Sequence, residues 1–433
     1  MPKRPPFIVA LAVALLASAS TWFYINRILR AQQIADAALH SRPRGNLSDL
    51  YPRWLGAREL LRHGRNPYSP EITREIQQGY YGRPLDPARP DDPKDQQGFA
   101  YPVYVVFLLT PTVDLPWDTV QFAFRWFLIA LAAASILLWL RVLRWRTAWG
   151  TKAILIVLVL GWLPMVQGLK LQQLTLLVVG LLAGCGACLT GGWLFCAGGL
   201  LALATIKPQL TWPLVLWLLF WAGNDWRSRR RFVFGFALVM MLLFGGAELV
   251  LPGWLAMFVQ AIGRYHQYVQ NESVLATLFG LLGGRIVGVT CVLACSACLW
   301  SLRKERASSE LFGRAYALVL ALAATIVPMS ALYNQVLLVP AILALVHSEV
   351  SPDSILPAVR KARAIGAILF VWPWIAALLL SAAYLWLTPE VRQKVWSMPL
   401  YSSFMLPLFV FGLALLDVWM NRVPGLRDSA PAE

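Results

Sequence analysis

Charge is what this chain has least of. Asp, Glu, Lys and Arg make up 14% of its 433 residues, against about 25% in an ordinary soluble domain. With 58% hydrophobic residues and a mean hydropathy of +0.59, there is too little polar surface to clothe one soluble core of this size. That excludes a soluble enzyme, a disordered scaffold and a disulfide-stapled secreted module. Cysteine is scarce as well. The six, Cys185, Cys188, Cys196, Cys291, Cys295 and Cys298, all sit inside apolar runs. Two CxxC pairs have the spacing of half a zinc site, but no His lies beside them in sequence and a tetrahedral site needs four ligands. Packing as small residues between membrane helices is the plainer account. Acids are outnumbered by bases, 22 to 38, for a net charge of +16. The cations form no single patch, so a nucleic-acid surface is not indicated.

What the chain has in abundance is apolar runs of membrane length. They fall at 7–25, 119–140, 153–168, 171–189, 193–206, 208–222, 232–251, 286–302, 315–330, 335–347, 365–387 and 399–419, which predicts an all-α polytopic membrane protein of about twelve transmembrane helices. Ala17-Ser18-Ala19 resembles a signal-peptidase site, yet the first run continues through Tyr24 to span length, which favours a retained helix. The stretch from Trp193 to Ala222 is about 45 Å long as one helix, too long for a hydrocarbon core of about 30 Å. A break at Lys207-Pro208-Gln209 resolves this, and Pro208 supplies the cause.

With that parity, nineteen Lys and Arg fall in segments on one side and six in short loops on the other. The basic side is then cytoplasmic, with both termini. The whole chain, 1–433, reads as one integral membrane domain without internal repeats. Its largest polar stretch is a first extracytoplasmic loop, 26–118, in which 99–116 is expected to form short, partly embedded helix.

The parity gathers several polar groups on the outer side: Asp49, Gln172 and Gln173, Lys207, Glu248, Arg264 with Tyr265 and His266, and Tyr333, Asn334 and Gln335. Polar groups at membrane depth are costly and often functional. Each also has a bland account. Asp49 can cap the following helix, Lys207 can snorkel to headgroups, and Glu248 can sit unpaired in the interface. His266 can be solvated, and the amides can satisfy turn backbone. Arg125 and Arg285 can anchor lipid phosphates.

A pattern runs through these positions. Asp49-Leu-Tyr51 leads through Ala57 and Leu60-Leu61 to Gly64-Arg-Asn66-Pro67-Tyr68. Phe99-Ala-Tyr101-Pro102 with Pro111 follows, then Gln167 with Gln172-Gln173, Ile206-Lys207-Pro208, and Tyr333-Asn334-Gln335 with Pro340. Over roughly residues 45–345 this resembles glycosyltransferase family 87 of the GT-C superfamily. One departure is visible: some relatives, the polyprenol-linked mannosyltransferases, carry His where this chain has Asn334-Gln335.

The resemblance implies a GT-C-like membrane glycosyltransferase. It would move a hexose or pentose, mannose foremost, from a polyprenyl-phosphate donor to a glycolipid or glycan acceptor of the cell envelope, on the extracytoplasmic face of the cytoplasmic membrane. It implies inversion, no metal and no cofactor, the lipid-linked sugar being a substrate. Asp49 would be the catalytic base. Lys207 and Arg264 would bind the donor phosphate. Tyr51, Tyr68, Tyr101, Gln172, Gln173, His266, Tyr333, Asn334 and Gln335 would line the substrate site. The rival from another class is a transporter or flippase for a lipid-linked sugar, for which internal repeats and midplane site residues are expected. A glycan polymerase or ligase is a third reading, for which a large outer loop late in the chain is expected.

Overall fold

The structure, a computed structural model, describes residues 6–39, 48–86, 88–268, 273–328, 331–348 and 357–422. The two termini expected in the cytoplasm, with Lys3, Arg4 and Arg427, lie outside the described residues. The described residues are helical or irregular, with no strand among them, as befits a chain whose backbone must satisfy its own polar groups in hydrocarbon.

The first helix does not stop at Ile25. It runs from Phe7 to Leu39, 33 residues, through a π-helical stretch at Tyr24–Leu29. No Pro or Gly interrupts residues 26–39, and good helix formers dominate them, so a loss of hydropathy there does not mean a loss of helix. Beyond it, helix Tyr51–His63 is closed by Gly64, which takes the left-handed conformation (φ 65°) that glycine permits. Helix Pro70–Tyr81 opens with Ser69, whose hydroxyl accepts from the Ile72 amide at 3.3 Å, and with Pro70 at its first position. The 99–116 segment holds only helix Val105–Leu109 and a 3-10 turn at Thr110–Thr112. Five residues rise about 7.5 Å, so this piece packs within the protein instead of crossing a bilayer.

Among the described residues, five helices are long and apolar enough to cross a membrane: Phe7–Leu39, Trp117–Val142, Trp226–Val250, Val274–Leu302 and Pro357–Ala383. Two bent pairs bring the total to seven if each is one span: Trp149–Leu160 with Leu163–Leu171, bent by 63°, and Met398–Phe404 with Leu406–Arg422, bent by 43°. The count differs from the twelve expected because several apolar runs form shorter helices, such as Leu174–Thr190 and Leu194–Ala204. The latter, at 11 residues, rises only about 16 Å. The break between Leu194–Ala204 and Pro208–Asn224 falls at Lys207, with Pro208 at the first position of the new helix.

The core is built around helix Glu310–Ile326, buried continuously from Phe312 to Thr325, and helix Leu174–Thr190 beside it. The Tyr316 hydroxyl donates to the Leu182 carbonyl (2.9 Å) and ties the two together. Helices Leu194–Ala204 and Trp226–Val250 meet backbone to backbone. A Cβ on Gly198 would lie 2.1 Å from the Phe232 carbonyl oxygen, and one on Gly235 2.1 Å from that of Phe195. Small residues at such crossings are what allow helices to approach in a membrane. Of the six cysteines, all free, Cys185, Cys291, Cys295 and Cys298 are buried among apolar side chains. Away from the cavity described next, buried Arg314 pairs with buried Asp417, with Glu310 on its other edge, and Ser348 donates to Asp417 (2.7 Å).

Candidate active site

Four interruptions of the helical framework converge on one cavity of about 590 Å³. They are the turn before Tyr51, the turn at Gln172-Gln173, the break at Lys207, and the 3-10 stretch Leu332–Leu338. Their mutual placement is fixed by backbone and buried amides. The Asp49 amide donates to the Leu171 carbonyl (2.9 Å). Gln172, fully buried and in the left-handed region (φ 52°), accepts from the Ser48 hydroxyl (2.8 Å) and donates to the Gln121 carbonyl (2.5 Å). A non-glycine residue held there costs on the order of 1 kcal/mol, and three elements are stitched together by that one side chain.

The functional groups form a chain. Gln173 donates its amide to the Asp49 carboxylate, while its oxygen accepts from Lys207 Nζ at 2.9 Å. Lys207 Nζ also donates to Thr175 Oγ1 (2.7 Å), whose hydroxyl donates to Asn334 Oδ1 (3.1 Å). Lys207 is only 4% exposed, yet these partners are neutral. Its ammonium also lies 5.3 Å from the Tyr333 ring centroid and 5.6 Å from that of Tyr101, within cation–π range. Tyr68 supports Tyr101 from behind, donating its hydroxyl to the Tyr101 carbonyl (2.6 Å). Gln335 donates to the Ser403 carbonyl (2.7 Å). Its Oε1, like that of Gln167, is buried without a hydrogen-bond partner among the described residues.

Burial pushes the Asp49 carboxyl above its ordinary range, the positive charges of Arg53 and Lys207 and the hydrogen bond from Gln173 pulling the other way. Such a carboxylate is more basic than one in water, as a general base requires. Asp95 on the same wall is also pushed upward by burial. It accepts from the Gln97 amide and from Gln97 Nε2, both at 2.9 Å. Among the described residues no three His, Cys, Asp or Glu side chains converge as a metal-ligand group.

Of the residues singled out in the sequence, Asp49, Tyr101, Gln173, Lys207, His266, Tyr333, Asn334 and Gln335 line this cavity. Tyr51, Tyr68, Gln172 and Arg264 do not. Tyr51 packs on Trp54 and Trp117 beside a second, more open groove. Tyr68 and Gln172 stand behind the wall. Arg264 is exposed and donates to the Tyr68 carbonyl (3.3 Å). Arg53 and Asp95 line the cavity unannounced. Arg53 lies four residues after Asp49, in the first turn of the helix that Asp49 precedes, which brings it within reach of the Asp49 main chain, and that signal was available. Asp95 sits in an acid-rich stretch with nothing local to distinguish it.

The sequence model of glycosyltransferase family 87 matches residues 99–330. The match takes in Tyr101, Gln173, Lys207 and His266, and leaves Asp49, Arg53 and Tyr333–Gln335 outside. No curated protein and no solved structure matches the chain. With more than half of its residues so matched, in a helical framework that holds several membrane-length spans, the chain belongs to glycosyltransferase family 87 and is a membrane glycosyltransferase.

Proposed function

We propose that the protein transfers a hexose or pentose, mannose foremost, from a polyprenyl-phosphate donor to a glycolipid or glycan acceptor, with inversion and with no call on a metal or cofactor. The observation that carries this reading is the chain Asp49–Gln173–Lys207, a base and a cation fixed in one cavity by a shared amide. An acceptor hydroxyl beside Asp49 gives up its proton to the carboxylate as its oxygen attacks the anomeric carbon. The bond from that carbon to the phosphate oxygen breaks on the opposite face. The electron pair stays with the departing lipid phosphate, where the Lys207 ammonium offsets the developing charge. One carboxylate suffices for direct displacement, and the product is inverted. A site enclosed by apolar helices limits competition from water.

The topology belongs to the same proposal. The basic loops lie in the cytoplasm, the segment between the end of the first helix and residue 118 is extracytoplasmic, and the cavity opens to the outer leaflet, where lipid-linked sugars rather than nucleotide sugars are at hand. The test is incubation of the purified protein with a panel of polyprenyl-phosphate sugars and lipid acceptors, with the anomeric configuration of the product read by NMR. Transfer from nucleotide sugars alone would refute the donor assignment, and retention would refute direct displacement.

A further inference from the structure

The cavity contains a second cation whose charge the proposed reaction has not used. Arg53 donates through Nη1 to the Asp49 carbonyl (2.9 Å), and its guanidinium carbon lies 4.6 Å from the Tyr101 ring centroid. The same ring has Lys207 Nζ at 5.6 Å. Arg53 Nε is buried with no hydrogen-bond partner among the described residues. Asp49 and Asp95 are close enough to feel the Arg53 charge, but among the described residues neither forms an ion pair with it.

A guanidinium brought into a protein without a counterion is expensive unless something else completes it. Lys207 is in the same condition, held by two neutral oxygens. Two cations, flanking one aromatic ring and both lacking an acid in contact, describe an anion site. The planar fork of Arg suits phosphate oxygens, which accept two parallel hydrogen bonds from it, while Lys contributes a point charge. Arg264, the arginine that the sequence pattern suggested for this role, is off the cavity wall.

We infer that Arg53, together with Lys207, binds the phosphate of the lipid donor. This rests on the polyprenyl-phosphate reading above. It also gives Arg53 a second effect. Its charge favours the ionised form of Asp49. A phosphate on Arg53 offsets that charge, so Asp49 becomes a stronger base when the donor is in place.

The experiment compares binding of farnesyl phosphate and farnesol to the full-length protein in detergent. The wild type is expected to prefer the phosphate. Arg53→Gln should weaken farnesyl phosphate binding about 10- to 100-fold, the range of a charge-assisted hydrogen bond, and leave farnesol binding as it was. Arg53→Lys should recover part of the loss. In turnover, Arg53→Gln should move the acid limb of the kcat/KM profile to higher pH, because Asp49 loses a positive neighbour; a prop for Tyr101 would not do this. A second measurement needs no variant. Phenylglyoxal labelling of wild-type Arg53, located by mass spectrometry, should be blocked by farnesyl phosphate and not by farnesol. If the wild type distinguishes the two lipids while Arg53→Gln binds the phosphate equally well, or if labelling is equal with both, this inference fails and the donor reading stands. If the wild type does not distinguish them, both fail.

Discussion

Replacing Asp49 by Asn separates a structural role from a chemical one. The main-chain bonds of residue 49, its amide to Leu171 and its carbonyl from Arg53, do not depend on the side chain. The Asn oxygen can still accept from Gln173, and the helix that follows is not capped by this side chain, its N-cap being Leu50. Since burial already opposes ionisation of this carboxyl, removing its charge relieves a desolvation penalty while taking away attraction to Arg53 and Lys207. The two effects oppose one another, and the change in folding stability should stay within about 1 kcal/mol, near the centre of the range for single substitutions. The reaction has no such compensation, because an amide cannot take the acceptor proton. Loss of a general base lowers rates by about 10²–10⁴-fold, which is about 3–5 kcal/mol of transition-state stabilisation.

The assay is single-turnover transfer from a radiolabelled donor, run beside donor binding and thermal unfolding in detergent. Binding and melting should be near wild type while transfer collapses. The pH profile supplies an independent check. Asp49 works only when deprotonated, and burial raises its proton affinity. Activity should therefore fall, as pH is lowered, at a pH above the ordinary carboxylate range of about 4, with one proton taken up. That limb should be absent from the residual activity of Asp49→Asn. Wild-type-like transfer by a folded Asp49→Asn protein would refute the assignment and leave the residue 49 side chain as an acceptor that positions Gln173.

Four further outcomes are expected. Lys207→Ala should lower transfer by about 10²-fold or more, with a much smaller change in melting temperature; normal turnover would reduce Lys207 to a packing element. Gly235→Ala places a methyl 2.1 Å from the Phe195 carbonyl oxygen, so unfolding in detergent should show a loss of about 1–3 kcal/mol, and an unchanged melt would contradict the close crossing. Asp417→Ala strips buried Arg314 of its buried partner and leaves it Glu310, for a loss of about 3 kcal/mol by the same measurement, whereas wild-type stability would show that Glu310 alone compensates the charge. Reporter fusions after residues 145, 228, 304 and 361 should read cytoplasmic and those near 60 and 265 extracytoplasmic; a cytoplasmic reading near 60 would put Asp49 on the wrong face for the proposed donor.

The parts of this architecture that announce themselves in sequence are those with a local cause. Pro208 cannot continue a helix without losing a hydrogen bond, and the helix restarts there, leaving Lys207 at its mouth. Gly64 ends the helix that Asp49 precedes. The gathering of Asp49, Gln173, Lys207 and Asn334 was legible through loop parity and the family pattern, although Asp49 and Asn334 are 285 residues apart. What escaped has causes that hydropathy does not register. The first helix passes beyond its apolar run because nothing in residues 26–39 stops it. Gln172 reads like its neighbour Gln173, but its left-handed backbone sends the side chain into the framework and not to the cavity. Arg264 and Arg53 are equivalent as charges in a sequence; only the fold sends one to the surface and the other against Tyr101. The number of spans is obscured for a similar reason. Broken apolar runs have the composition of a span without its length.

The placement of Gln173 explains why a base and a cation can share so small a space. A lysine in direct contact with Asp49 would form an ion pair, weakening the carboxylate as a base and consuming the positive charge needed by the leaving phosphate. With a neutral amide between them, Asp49 has a donor that orients it, Lys207 has an acceptor that holds it, and neither charge is cancelled by contact. Thr175 and Asn334 extend the same arrangement on the far side of the ammonium. Turns and helix ends offer side chains in this way, whereas residues in the middle of an apolar span mostly face lipid or a neighbouring helix. Four interruptions of the apolar framework, each with its own polar residue, therefore have to meet at one point. The broken, short helices that blur the span count are the structural means by which the reacting groups reach one another.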